Sequence, residues 1–118
     1  MQHRNDLRAH CNIIVKMAKA LDYPREQVME KDKFNVEISD ISATGIHFIT
    51  DEKIEEGKRY IIELQINQTI EIIICKIIRV SSENKMHKCG AKFEKMPYNT
   101  EKNLRAYVYK WQLDKCRQ

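Results

Sequence analysis

Two arginines near the N-terminus are the first residues whose type and spacing could do chemistry. Arg4 and Arg8 stand four residues apart in the stretch "RNDLR". A guanidinium group is a planar fork of donors that binds phosphate bidentately, reads the O6 and N7 edge of guanine and stacks on bases. The pair is therefore a candidate clamp for a nucleotide, although a spacing of four also arises by chance among several arginines.

A second candidate element is the stretch "DISATG" at residues 40–45. The carboxylate of Asp40 can accept hydrogen bonds from an arginine or from guanine N1–H and N2–H₂. Ser42 offers a small hydroxyl, and Gly45 has no Cβ, so a ring or a phosphate could approach its backbone. Asp, Ser and Gly are also favoured in β-turns, so this stretch alone leaves a turn and a binding loop both open.

The elements that must position these residues follow from hydrophobic periodicity. Alternation with a period of two predicts strands at 10–18, 34–39, 45–49, 59–66, 69–80 and 86–93. The long strand at 69–80 has Ile on both faces, so we expect part of it to be covered on both sides. Gly57 is expected to occupy a turn with positive φ, and residues 81–85 to turn the chain.

Beyond Pro97 the period changes to three and four residues, which predicts a C-terminal helix over 98–117. Residues 1–9 carry charge without periodicity and are predicted to form a flexible arm that bears the arginines. The sequence thus predicts one domain over 1–118, with a barrel at 10–96. Its fold class is mainly β: a small six-stranded antiparallel β-barrel with a C-terminal α-helix on one opening.

Composition agrees with one globular domain and restricts the partners. The 118 residues are 42% apolar and 32% charged, and the net charge of +4 permits an anionic partner without requiring one. No apolar run reaches 18 residues and the first residues are polar, so we expect no membrane span, no signal peptide and a cytoplasmic location. The four cysteines lack metal-ligand spacing, and we interpret them as buried, reduced thiols.

Catalytic motifs are missing from the sequence. It contains no G-x-S-x-G, no P-loop and no H-E-x-x-H, and its four histidines are scattered. We therefore predict neither an enzyme nor a metal site.

Taken together, the two stretches resemble the PilZ domain family. The family pattern is R-x-x-x-R followed by [DN]-x-S-x-x-G, and "RNDLR" and "DISATG" supply both parts in the expected strand order. Later segments such as "CGAKFEKM" resemble the later PilZ strands, and "LRAYVYKWQLDKCR" is similar to the C-terminal helix of flagellar-brake-type PilZ proteins. The resemblance covers nearly the whole chain.

The resemblance implies a non-catalytic bacterial receptor for cyclic di-GMP, with no other cofactor. It implies that Arg4 and Arg8 grip phosphate and guanine, and that Asp40, Ser42 and Gly45 line the facing barrel wall. It also implies a switch or adaptor that acts through an effector protein, such as the flagellar motor or a polysaccharide or secretion machinery, in motility, biofilm or exopolysaccharide control. From the sequence, Arg79 is a further residue that could reach the same rim from a strand end.

Two departures leave details open. Thr44, beside the motif glycine, is β-branched and would resist a positive φ. His3 stands just before the arginine pair, where relatives that take up a stacked ligand pair have Arg, so one or two ligands remain possible. A single-domain adaptor and a piece of a longer protein are equally compatible with the sequence.

Two other functions remain as alternatives. A degenerate PilZ-like adaptor would keep the barrel, bind no nucleotide and contact proteins only. A nucleic-acid-binding barrel would need aromatic side chains on its surface, whereas Phe34 and Tyr60 fall on predicted inward faces. We therefore expect no nucleic-acid partner.

Overall fold

Six strands and one α-helix make up the fold. The computed structural model describes residues 8–20 and 29–116, and only the backbone of 8–10 and 114–116. The elements are β1 (Arg8–Lys19), β2 (Phe34–Ser42), β3 (Gly45–Thr50), β4 (Arg59–Ile66), β5 (Thr69–Glu83), β6 (Met86–Phe93) and α1 (Tyr98–Cys116), with a short 3-10 helix at Glu30–Asp32 before β2. The predicted fold class is confirmed.

The strands close into a barrel in the order β1-β2-β3-β6-β5-β4, with β4 returning to β1. Every neighbouring pair is antiparallel. Closure pairs the outer strands with one another, which satisfies the backbone groups that an open sheet would leave exposed at its edges.

The core follows the alternation seen in the sequence. Along β4 every second side chain is buried, and β1, β2 and β3 follow the same rule over most of their length. The largest side chains that are almost fully buried include Phe48, Met17, Ile38, Ile62 and Leu64.

Helix α1 packs on β1, β2 and β4. Leu104 and Val108 are buried in the barrel core, and Tyr107 and Trp111 pack against the same core while remaining partly exposed. These positions recur every three and four residues and form one stripe, as the sequence predicted. Of the helices within the described ranges, none is long and apolar enough to cross a bilayer.

Several strands are longer than the sequence indicated, because pairing with a neighbour extends them. Arg8 and Ala9, which the sequence assigned to the arm, pair with Ser42 and Ile41. Residues 81–83 continue β5 instead of turning the chain, and the turn is confined to Asn84 and Lys85, both with positive φ. Two consecutive residues with positive φ suit the twist of a tight hairpin.

The prediction that part of β5 is covered on both sides is wrong for three isoleucines on its outward face. Ile73 and Ile77 are buried in the barrel, but Ile70, Ile72 and Ile78 are each more than half exposed. The strand turns these side chains to the outside of the barrel, and none of them belongs to the core cluster or packs against it.

Smaller predictions concern the turn at Gly57 and the cysteines. Gly57 has a φ of 84°, which confirms the predicted turn conformation. Cys11, Cys75 and Cys89 are buried, free thiols, and Cys116 lies where only the backbone is described. Burial raises the pKa of all three buried thiols, which keeps them protonated and unreactive at neutral pH.

Candidate functional site

The register of β1 on β2 brings the two sequence motifs together. Arg8, the last residue of "RNDLR", pairs with Ser42, and His10 pairs with Asp40. Arg4 lies outside the described residues, and of Arg8 only the backbone is described. The end of the arginine motif and the Asp-Ser pair therefore lie on adjacent strands, at the same level of the barrel.

A bulge in β2 sets the position of Asp40. The register of β2 on β3 shifts between Ile38 and Asp40, so that Asp40 pairs with His47. A bulge inserts an extra residue and re-aims the side chains that follow it. Asp40 consequently remains partly exposed although it lies two residues from the fully buried Ile38.

The Asp40 carboxylate is held by a histidine on the neighbouring strand. His47 Nδ1 lies 2.9 Å from Asp40 Oδ1, with side chains 40% and 17% exposed. An ionised carboxylate has no hydrogen to donate, so the hydrogen of this bond belongs to Nδ1. The pKa of the Cys11 thiol is raised to about 11, first by burial and second by the negative charge of Asp40.

Ser42 is fully buried and organises the turn after β2. Its Oγ accepts hydrogen bonds from the backbone N–H of Thr44 at 3.1 Å and of Gly45 at 3.2 Å, and lies 3.1 Å from Thr44 Oγ1. These hydrogen bonds hold the backbone of the turn in place. The Ser42 hydroxyl thus stabilises the backbone conformation of its own motif.

Gly45 begins β3, and neither it nor Thr44 has a positive φ, so the β-branched Thr44 does not have to adopt the conformation that it would resist. The reason for glycine is space. A Cβ at this position would overlap the carbonyl oxygen of Ala91 in β6. A hydrogen bond of 2.8 Å from the Phe93 N–H to the Thr44 carbonyl holds the start of β3 close to the end of β6 at this point.

Two hollows lie side by side on the barrel, and both are lined by His47, the hydrogen-bond partner of Asp40. The first hollow, of about 220 Å³, includes Gly45 and Lys92 in its lining. The second hollow, of about 470 Å³, includes Ser39 and Lys88. His47 and Arg79 line both, one on each side of Gly90, because His47 pairs with Gly90 in β3–β6 and Arg79 pairs with Gly90 in β5–β6.

Arg79 lies inside β5 and not at a strand end as the sequence suggested, because pairing with β6 continues to Glu83. It still reaches the predicted neighbourhood, since it lines the first hollow together with Gly45. Lys92 pairs with Gly45 on one side and with Lys76 on the other, which adds two exposed ammonium groups to this surface. The surface around the hollows is basic and suits an anionic ligand.

Sequence reasoning missed His47 and Gly90. A signal existed for each: His47 follows Gly45 by two residues and so shares its face of β3, and a glycine inside a strand indicates a close neighbour. A Cβ at Gly90 would lie 3.2 Å from the Cδ2 atom of His47, so the missing side chain makes room for the imidazole ring. Across the described ranges, no group of three or more His, Cys, Asp or Glu side chains could hold a metal ion.

Comparison with known structures identifies the architecture first. The inhibitor of motility MotI/DgrA of Bacillus subtilis superposes with a TM-score of 0.69 at 18% identity, over 98% of this chain and 54% of that one. The PilZ domain of YcgR from Escherichia coli, solved with c-di-GMP, gives 0.71 at 15% identity, over 97% and 95%. The K. pneumonia MrkH complex with c-di-GMP gives 0.73 at 11% identity, over 99% and 56%. These similarities show a shared barrel-and-helix fold.

The sequence supplies the family. The model of the PilZ domain matches residues 2–110, and the chain belongs to that family. It spans about half the length of MotI and of MrkH, and nearly all of the YcgR PilZ domain. No curated protein sequence is similar enough to count as a match.

Proposed function

We propose that this PilZ domain is a non-catalytic receptor for cyclic di-GMP. The observation that carries the proposal is the register of β1 on β2, which sets Arg8 beside Ser42 and so places the end of the arginine motif next to the first half of the other motif. Family membership supports the same ligand, as do the YcgR and MrkH structures that contain it.

The residue types of the proposed site would have different tasks. Arg4 and Arg8 would grip the phosphates and a guanine edge, since guanidinium binds both bidentately. Asp40 would accept from guanine or from an arginine. Ser42 would act through the turn that it holds, and Gly45 would offer bare backbone at the margin of the first hollow.

The proposed mechanism is a ligand-ordered switch. Residues 1–7 precede β1 and carry Arg4, so cyclic di-GMP would draw this arm onto the barrel and change the surface that a partner meets. Ordering the arm costs entropy, which lowers the affinity below what the contacts alone would give. We expect a dissociation constant in the range of about 1 µM or tighter.

The ligand-bound domain would act by binding an effector protein in the cytoplasm. MotI is described as an inhibitor of motility. By that analogy the effector of this chain would belong to the flagellar motor or to a polysaccharide or secretion machinery, in motility, biofilm or exopolysaccharide control. The number of ligand molecules bound at once would be one or two.

Isothermal titration calorimetry tests the proposal directly. Wild-type protein should bind cyclic di-GMP, with cyclic di-AMP and GTP as ligand controls. Arg8→Ala and Asp40→Ala should each weaken binding by about tenfold or more, because each removes hydrogen bonds to a charged group. Lys31→Ala, on the exposed 3-10 helix, is a matched control and should bind as wild type does. If Arg8→Ala and Asp40→Ala both bind normally, the assigned site is wrong.

A degenerate adaptor that binds no nucleotide remains the second candidate, and one observation favours it. Ser42 and Gly45 both have structural reasons to be present, namely the turn and the approach of β6. They could therefore persist without a ligand. A flat titration of the wild-type protein with cyclic di-GMP would select this alternative.

A further inference from the structure

A further side chain at the proposed site has no part in the family motifs. His47 lies on β3, directly across from Asp40 on β2 and Gly90 on β6. It lines both hollows, so its ring stands at the boundary between them. Its placement therefore affects the shape of the whole surface around Asp40.

The imidazole ring is held on one side and has room on the other. On one side its Nδ1 donates to Asp40 Oδ1 over 2.9 Å. On the other side the ring lies close to Gly90, where a Cβ would be 3.2 Å from Cδ2 and 3.4 Å from Nε2. That first distance is shorter than an ordinary van der Waals contact, so a side chain at position 90 would require the ring to shift by a few tenths of an ångström.

The bond to His47 also restricts Asp40. An aspartate side chain has three staggered χ1 positions and a broad χ2, and a strong charge-assisted bond favours the combination that makes it. The Asp40 side chain is 17% exposed and that of His47 is 40% exposed, so the bond is partly shielded from water on the side of the aspartate. A ligand that meets Asp40 then meets an oxygen whose direction is already set.

We infer that His47 is a positioning residue of the nucleotide site: it orients the Asp40 carboxylate, and Gly90 leaves the space that the ring needs. This inference rests on the proposed function, because it assigns Asp40 to ligand binding. His47 affects ligand binding only by orienting Asp40. It therefore differs from a residue that contacts the ligand directly.

The test is a set of binding titrations with cyclic di-GMP on full-chain variants. Asn carries its amide nitrogen two bonds from Cβ, as Nδ1 is, whereas Gln carries it one bond further, near the position of Nε2. His47→Ala and His47→Gln should weaken binding by about tenfold or more, and His47→Asn should stay within about threefold of wild type. His87→Ala is the matched control, since His87 bonds Ser82 and lines neither hollow; it should leave binding unchanged.

A double-mutant cycle distinguishes positioning from direct contact. If His47 acts through Asp40, His47→Ala should cost nothing further in the Asp40→Ala background. An equal loss in both backgrounds, or equal binding by the Asn and Gln variants, would overturn the inference. Thermal unfolding midpoints of all variants separate a lost contact from a lost fold.

A ligand-free measurement separates this inference from the proposed function. In ¹⁵N-edited NMR spectra, the wild-type His47 Nδ1 should show the shift of a protonated nitrogen, and Asp40→Asn should move it. If the Nδ1 shift of His47 does not respond to Asp40→Asn, the inference that His47 orients Asp40 is wrong, whatever the result of the ligand titrations. Wild-type protein that binds no cyclic di-GMP overturns the proposed function and the inference together. Wild-type protein that binds, with His47 variants unaffected, overturns the inference alone.

Discussion

Gly45 illustrates how a motif residue can have more than one reason to be present. Its neighbour Thr44 accepts a backbone hydrogen bond from Phe93, and a side chain at position 45 would meet the carbonyl of Ala91. Glycine is thus required for the packing of β3 on β6 before any ligand is considered. If a Gly45 variant loses ligand binding, its free energy of unfolding must be measured as well, because the substitution also disturbs the packing of β3 on β6.

The first residue-scale prediction compares two glycines. Gly45→Ala should lower the free energy of unfolding by more than about 2 kcal/mol, because the new methyl group overlaps backbone that cannot move aside. Gly57→Ala is the matched control: its surroundings are open, and only its φ of 84° opposes the change, at a cost of about 1 kcal/mol. Urea denaturation followed by circular dichroism measures both, and equal losses would contradict the packing argument.

At the scale of elements, helix α1 docks on the barrel through one stripe of side chains. Leu104 and Val108 are buried against the barrel, while the rest of the helix is largely exposed. In proteins most of the stability of a helix comes from packing its apolar face, so the structure of α1 should depend on its docking to the barrel. The barrel and the helix are expected to unfold together.

We predict that Leu104→Ala costs about 2 to 5 kcal/mol of folding free energy, because it removes a fully buried side chain and leaves a cavity. Leu113→Ala, on the same helix but 40% exposed, should cost less than about 1 kcal/mol. Chemical denaturation of the two variants provides the comparison. A small effect of Leu104→Ala would mean that the helix is not needed for the stability of the barrel.

The elements were predictable wherever the signal is local. Alternation along β4 and the period of α1 can be read from neighbouring residues, and both predictions are confirmed. The bulge before Asp40 and the overlap at Gly45 involve strands that are distant in sequence, as in the pair Gly45 and Lys92. No local pattern says which strands become neighbours, so the contact of His47 with Asp40 and the space that Gly90 leaves for its ring were found only in the structure.

At the scale of the whole molecule, the buried thiols should make stability depend on pH in alkaline solution. Burial, with Glu94 as a second cause, raises the pKa of Cys75 from 9.0 to about 12. Cys11 and Cys89 are raised to about 11, also mainly by burial. As pH rises above 9, the unfolded chain loses these protons first, which stabilises the unfolded state.

The free energy of unfolding should therefore decline between about pH 9 and 12, and this contribution should be constant below pH 9. Cys75→Ala removes one of the responsible groups, so its decline should be shallower than that of wild type. Urea denaturation at pH 7, 9 and 10.5 measures both slopes. Parallel slopes would show that Cys75 does not contribute.

The contact between Tyr107 and Trp111 supplies a spectroscopic consequence. Trp111 is the one tryptophan of the chain, and its ring meets that of Tyr107 edge to face on α1, against the barrel core. It lines neither hollow. Intrinsic fluorescence therefore reports whether the helix is docked. A change in emission on adding a nucleotide would mean that occupancy on one wall of the barrel is felt by the helix, with no label attached.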